Sequence, residues 1–147
     1  MKPVKSIIAS IWVVRVIMLI LCVAVFFIPL MAQGYSILAN GDKNITLPMM
    51  VGFYFLFLPS LGTMTVLHIL LNNIKKGDMF VVKNIKCLTI ICIGLFLVGI
   101  ICAVIGLISW IFAFISIAFL FVGLILLVVR NVFSHAVELK QENDFTI

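Results

Sequence analysis

The chain has 147 residues, 65% of them hydrophobic and only 10% charged, with a formal net charge of +5. A soluble domain of this size carries about 25% charged residues, so the composition excludes an ordinary water-soluble globule and points to a bilayer. Four apolar stretches, at about 12–33, 49–71, 87–107 and 109–130, each approach the ~20 residues an α-helix needs to cross the hydrocarbon core. They predict an all-α integral membrane protein of four antiparallel transmembrane helices. Residues 1–147 are read as a single transmembrane domain, with extensions of helices 3 and 4 on the cytoplasmic side and a tail over 131–147.

The chain begins with a short basic leader, and a helix is expected to start near Ser6 and enter the membrane. The first span is too long for a cleaved signal peptide, and no Ala-x-Ala-like site follows it, so it is read as retained. Arg15 is surrounded by apolar residues. With no Asp or Glu in any span to pair with it, the expected behaviour is snorkelling to the headgroups. Pro29 lies near the outer end of this span, where a lost backbone hydrogen bond does least harm.

The 34–48 connection contains Asn40-Gly41, a strong turn pair, and is too short to form a receptor domain. In span two, Phe53, Tyr54, Phe55 and Phe57 crowd the outer half and are expected at the interface and against lipid. Pro59 at mid-span predicts a kink.

The 72–86 connection is the most structured polar stretch. Gly77 suits the left-handed end of the second helix, and Asp78 suits the N-cap of the third. Lys75, Lys76, Lys83 and Lys86 make it basic, while Phe80 and Ile85 are free to pack. Spans three and four are separated by almost nothing and form a tight pair around Ser109-Trp110. Gly94, Gly99, Ala103 and Gly106, facing Ala113, Ser116, Ala118 and Gly123, offer small surfaces for close backbone approach. After Arg130 the fourth helix is expected to continue to about Gln141, with three of the chain's five acidic residues, Glu138, Glu142 and Asp144, in its tail.

Charge sets the orientation. Lys2, Lys5, Arg15, the four lysines of the 72–86 connection, Arg130 and Lys140 fall on one side, against Lys43 alone on the other. The positive-inside rule then places both termini and the 72–86 hairpin in the cytoplasm of a multi-pass protein. The four cysteines, Cys22, Cys87, Cys92 and Cys102, lie in or beside apolar helices and read as packing residues.

Several chemistries lack their residues. The spans hold no carboxylate for proton coupling, and there is no Gly-rich phosphate loop and no Cys-x-x-Cys. His68 and His135 are the only imidazoles. As two axial ligands they would suit a haem, but without other polar partners they read as interfacial histidines, and no cofactor or metal is expected. No nucleophile, base and orienting group can be assembled, so an enzyme is not expected.

Two segments carry a resemblance. Asn72-x-x-Lys75-x-Gly77-x-x-Phe80, running into Lys83-Asn84-Ile85-Lys86, is similar to the hairpin of the YoaS-like bacterial membrane proteins, a family of unknown function. The ending Ala136-Val137-Glu138-Leu139-Lys140-Gln141-Glu142-Asn143-Asp144-Phe145-Thr146-Ile147 resembles that family's terminal signature, which usually has Leu where Phe145 stands. The similarity covers the four-span layout, but only these two segments are specific. Members are commonly encoded beside a small Xre-type helix-turn-helix regulator, so the resemblance implies a regulatory pair in the bacterial cytoplasmic membrane.

The resulting expectation is a regulatory or adaptor protein without enzymatic activity. Its candidate partner-binding residues are Lys75, Lys76, Asp78, Phe80, Lys83, Lys86, Glu138, Lys140, Glu142, Asn143 and Asp144. The bilayer, a helix-turn-helix regulator and a second copy of the chain stand as partners, with no direct contact to nucleic acid. The alternative is a self-protection or transport-accessory protein acting through its membrane face and outer loop.

Overall fold

The four apolar stretches each become one continuous helix in a computed structural model that describes residues 5–38, 43–77 and 81–145. In chain order they are α1 (Lys5–Leu38), α2 (Thr46–Lys75), α3 (Val82–Gly106) and α4 (Trp110–Phe145), with a short 3-10 turn at Lys43–Ile45 leading into α2. All four are long and apolar enough to cross a membrane. In hydrocarbon every backbone amide must find its partner within the chain, so an apolar run of this length has no alternative to a helix.

The helices outrun their apolar stretches. α1 passes through Pro29 and continues to Leu38, so the connection expected over 34–48 is shorter on both sides. α2 likewise runs through Pro59, with Ser60 Oγ and Thr63 Oγ1 donating to the carbonyls of Leu56 and Pro59, each at 2.7 Å. α4 reaches Phe145, one turn beyond the expected Gln141.

The start of α3 corrects the expected cap. Val81, in extended backbone (φ −132°, ψ 143°), is the N-cap residue, and it offers no side-chain bond to the first turn. Asp78, the expected cap, lies outside the described residues.

Extensive contacts join only consecutive helices, α1 to α2, α2 to α3 and α3 to α4. Their antiparallel registers are fixed by close approaches. Gly94 meets the Thr63 side chain, a Cβ on Gly52 would stand 2.8 Å from Ile105 Cγ1, and Asn73 bonds Asn84. On the other side of α3, Gly99 packs against Leu120, and a Cβ on Gly106 would stand 2.9 Å from the Ala113 backbone nitrogen. Ala103 and Ala118 are corrections to the expected small-residue seam, since both are exposed. The close approaches to α4 fall at Gly99 and Gly106, seven residues apart, and Ala103 between them is left at the edge of the contact.

Two hydrophobic clusters hold the bundle. The one at the tight α3–α4 turn draws on all four helices, with Ala32, Met49 and Ile105 buried and Tyr35, Phe53 and Phe112 packed around them. Phe53 thus points inward, its ring 5.7 Å from Phe112, unlike the exposed Tyr54 and Phe55. The other cluster, beside the lysine-rich hairpin, is built from α2, α3 and α4 alone: Leu70, Cys87, Leu88 and Ile91, with Leu126 and Phe133 against them. α1 contributes nothing to it and buries Ile11 and Val14 outside this cluster at the same end.

The registers also set a depth. Arg15 and His68 line one cleft, and Arg130 bonds Thr89. The α2–α3 register places residue 68 beside residue 89, so these four side chains share one level. About 20 residues further along each helix lie Tyr35, Pro48, Ser109 and Trp110, a separation of about 30 Å at 1.5 Å per residue. That matches a hydrocarbon core. Between the two levels large apolar side chains face outward, Phe26 at 83% exposure among them. An apolar belt of that kind is covered by lipid in a multi-pass membrane protein.

Candidate functional site at the basic end

The hairpin between α2 and α3 is closed by Gly77, whose φ of 96° lies in the left-handed region, open to glycine without a Cβ penalty. Backbone bonds from Lys76 to Asn72 and Asn73, and from Gly77 to Ile74, finish α2. The two helices are then tied by a polar clasp. Asn73 Nδ2 donates to Asn84 Oδ1 at 3.0 Å, and Asn84 is only 1% exposed. Buried amides of this kind are tolerated only when paired.

The lysines of this hairpin all point away from the clasp. Lys75, Lys76, Lys83 and Lys86 are exposed, and none forms an ion pair with another described residue. Phe80, like Asp78, lies outside the described residues.

The base of α3 and the extension of α4 enclose a polar groove of about 330 Å³, lined by Lys86 and Thr89 of α3 and by Arg130, Ser134, Glu138 and Gln141 of α4. Arg130 is fixed in its upper end. Its Nε donates to Thr89 Oγ1 at 3.2 Å, and Thr89 in turn donates to the Ile85 carbonyl at 2.9 Å. Its Nη1 donates to Asn131 Oδ1 at 3.0 Å.

α4 continues past the first residue of α3. Val137, at 3% exposure, is its last buried side chain among the described residues. Val137 stands opposite Val82, the first residue of α3, so residues 139–145 pass the end of that helix by about two turns, on the order of 10 Å. Leu139 is 64% exposed there, flanked by exposed Lys140, Glu142 and Asn143. Glu138 pairs with His135 at 3.4 Å, one turn back on the same helix. The side chain of Asp144 lies outside the described residues.

Of the sequence-derived set, the structure brings Lys86 and Glu138 into one groove and leaves Lys75, Lys76 and Lys83 on the outside of the hairpin. Sequence reasoning missed Thr89, Arg130, Ser134 and Gln141 as members of a site. Their signal was the i, i+4 spacing of Arg130, Ser134 and Glu138 on α4, opposite Lys86 and Thr89 at i, i+3 on α3, which becomes a common seam only when the register of the two helices is known.

On the far side of the bundle a second, almost wholly apolar cleft between α1 and α2 is lined by Arg15, Met18, Leu19, Cys22 and His68. The Arg15 guanidinium is exposed and stands 5.5 Å from the Trp12 ring centroid, an arrangement suited to a membrane boundary. His68 Nε2 accepts from Asn72 Nδ2 at 3.0 Å. The two histidines belong to different regions, His135 being exposed on α4. Among the described residues no three His, Cys, Asp or Glu side chains come together.

Residues 30–147, which include the hairpin, the groove and the α4 extension, match a protein family described as "Protein of unknown function (DUF2975)". No curated protein and no solved structure matches the chain.

Proposed function

The chain belongs to the DUF2975 family of proteins of unknown function, and from that premise we propose that it is a non-enzymatic membrane adaptor that docks a cytoplasmic regulatory protein. The docking surface is the lysine-rich hairpin together with the projecting end of α4. The observation that carries this reading is the helix running past its neighbours with Leu139 exposed among Lys140, Glu142 and Asn143. An apolar anchor inside a charged rim is the arrangement of a helix-mediated contact.

The similarity of the 72–86 and 136–147 segments to the YoaS-like proteins supports a small Xre-type helix-turn-helix regulator as the partner. The lysine distribution supports placing this end in the cytoplasm. Tethering such a regulator at the membrane would withdraw it from DNA, and any change in bundle packing that favours one docked state would shift that balance.

A mild-detergent pull-down from the native host tests the reading, comparing the full chain with one ending at Glu138. That truncation keeps the buried Val137 and so leaves the α3–α4 packing in place. A small helix-turn-helix protein recovered with the full chain alone is the expected result. Equal recovery with both forms, or none with either, overturns tail docking and favours action through the membrane face and the outer connection.

A further inference from the structure

We propose that the groove between α3 and α4 binds the phosphate of an anionic phospholipid. Arg130 sits at its membrane-facing end, immobilised through Nε and Nη1. That leaves Nη2 without a protein partner among the described residues. Lys86 reaches the same groove from α3, one turn below Thr89, with no ion pair to another described residue. Two cationic groups thus converge on one cavity with free donors, and one of them is already held in place, so little ordering remains to oppose binding.

Depth identifies the source of the phosphate. Arg130 shares the level of Arg15 and His68, at one limit of the ~30 Å apolar zone, which is where lipid headgroups lie. Glu138 does not spoil the site. Its carboxylate lines the groove two turns further from the membrane than Arg130, which places the phosphate at the Arg130 end. Ser134, one turn beyond Arg130, lines the groove on that side and suits a hydroxyl of a glycerol headgroup. The acyl chains would lie along the exposed apolar exterior of α3 and α4, where Ile90, Ile93 and Val128 face outward. A lipid held here would brace the base of the α4 extension.

The test uses the purified full chain in neutral detergent, with no protein partner present. Its outcome is therefore independent of the docking reading. Binding of short-chain phosphatidylglycerol, phosphatidylcholine and inorganic phosphate is compared by native mass spectrometry and thermal shift. Phosphatidylglycerol should bind selectively. Lys86→Gln and Arg130→Gln should each weaken it about fivefold, the effect of ~1 kcal/mol per basic residue at an anionic surface. Lys86→Gln removes no intramolecular hydrogen bond and so keeps the test valid if Arg130→Gln unfolds. Arg15→Gln, at the same depth but outside the groove, should change nothing. Three results would overturn the proposal: equal weakening by Arg15→Gln, equal binding of phosphatidylcholine, or full competition by inorganic phosphate.

Discussion

Asn84 shows how much a single side chain decides here. It is one of the largest fully buried side chains, and its partner Asn73 comes from the other arm of the hairpin. Removing the Asn84 amide takes its acceptor from Asn73 Nδ2 and removes a fully buried polar group's hydrogen bond across the hairpin, a loss of about 1–3 kcal/mol. Asn84→Ala should therefore lower the melting temperature of the purified protein, and Asn73→Ala should add little to it in the double variant. Additive losses would show that the two amides act independently. In the sequence Asn84 stands between Lys83 and Ile85 and looks like one more polar hairpin residue. Its burial follows from which face of α3 meets α2, and residue type alone does not carry that.

The helices themselves were legible, but their ends and faces were not. Hydropathy reports where lipid is, whereas helices continue wherever backbone bonding and packing support them, so α1 and α4 outlast their apolar stretches. The α3–α4 seam makes the same point. Gly106 abuts the Ala113 backbone while Ala103, three residues earlier, is exposed. Gly106→Val should destabilise the pair by about 1–3 kcal/mol through overpacking, and Ala103→Val should be nearly neutral, both read by thermal unfolding in detergent. Equal effects would mean that the seam lies elsewhere. At the far end of α4, Leu139→Asp should leave stability unchanged, because the side chain is exposed, while reducing recovery of the docked regulator at least severalfold, as loss of a central anchor does. A stable variant that still recovers the regulator in full would remove Leu139 from the contact.

At the scale of the molecule consecutive helices pack side by side, all four meet in the cluster at the tight-turn end, and the polar groove lies at the end that carries the lysines. The proposed orientation predicts a fluorescent C-terminal green fluorescent protein fusion and an active alkaline phosphatase inserted within 39–42. The reverse pattern would place the hairpin outside the cytoplasm and end the docking proposal. Composition and apolar run length were sufficient for the class, the number of helices and their alternating direction, because a bilayer leaves an apolar chain almost no other way to satisfy its backbone. Lysine placement supplied an expected orientation by the same reasoning. The sequence could not say that Arg130 and Lys86 share a cavity, that Val81 stands at the N-cap of α3, or that the cluster beside the hairpin is built from α2, α3 and α4. Those depend on helix register and rotation, which arise from close approaches such as Gly94 to Thr63 and Gly106 to Ala113. In an apolar solvent nearly every helix face is acceptable to lipid, so only tertiary packing selects which faces meet.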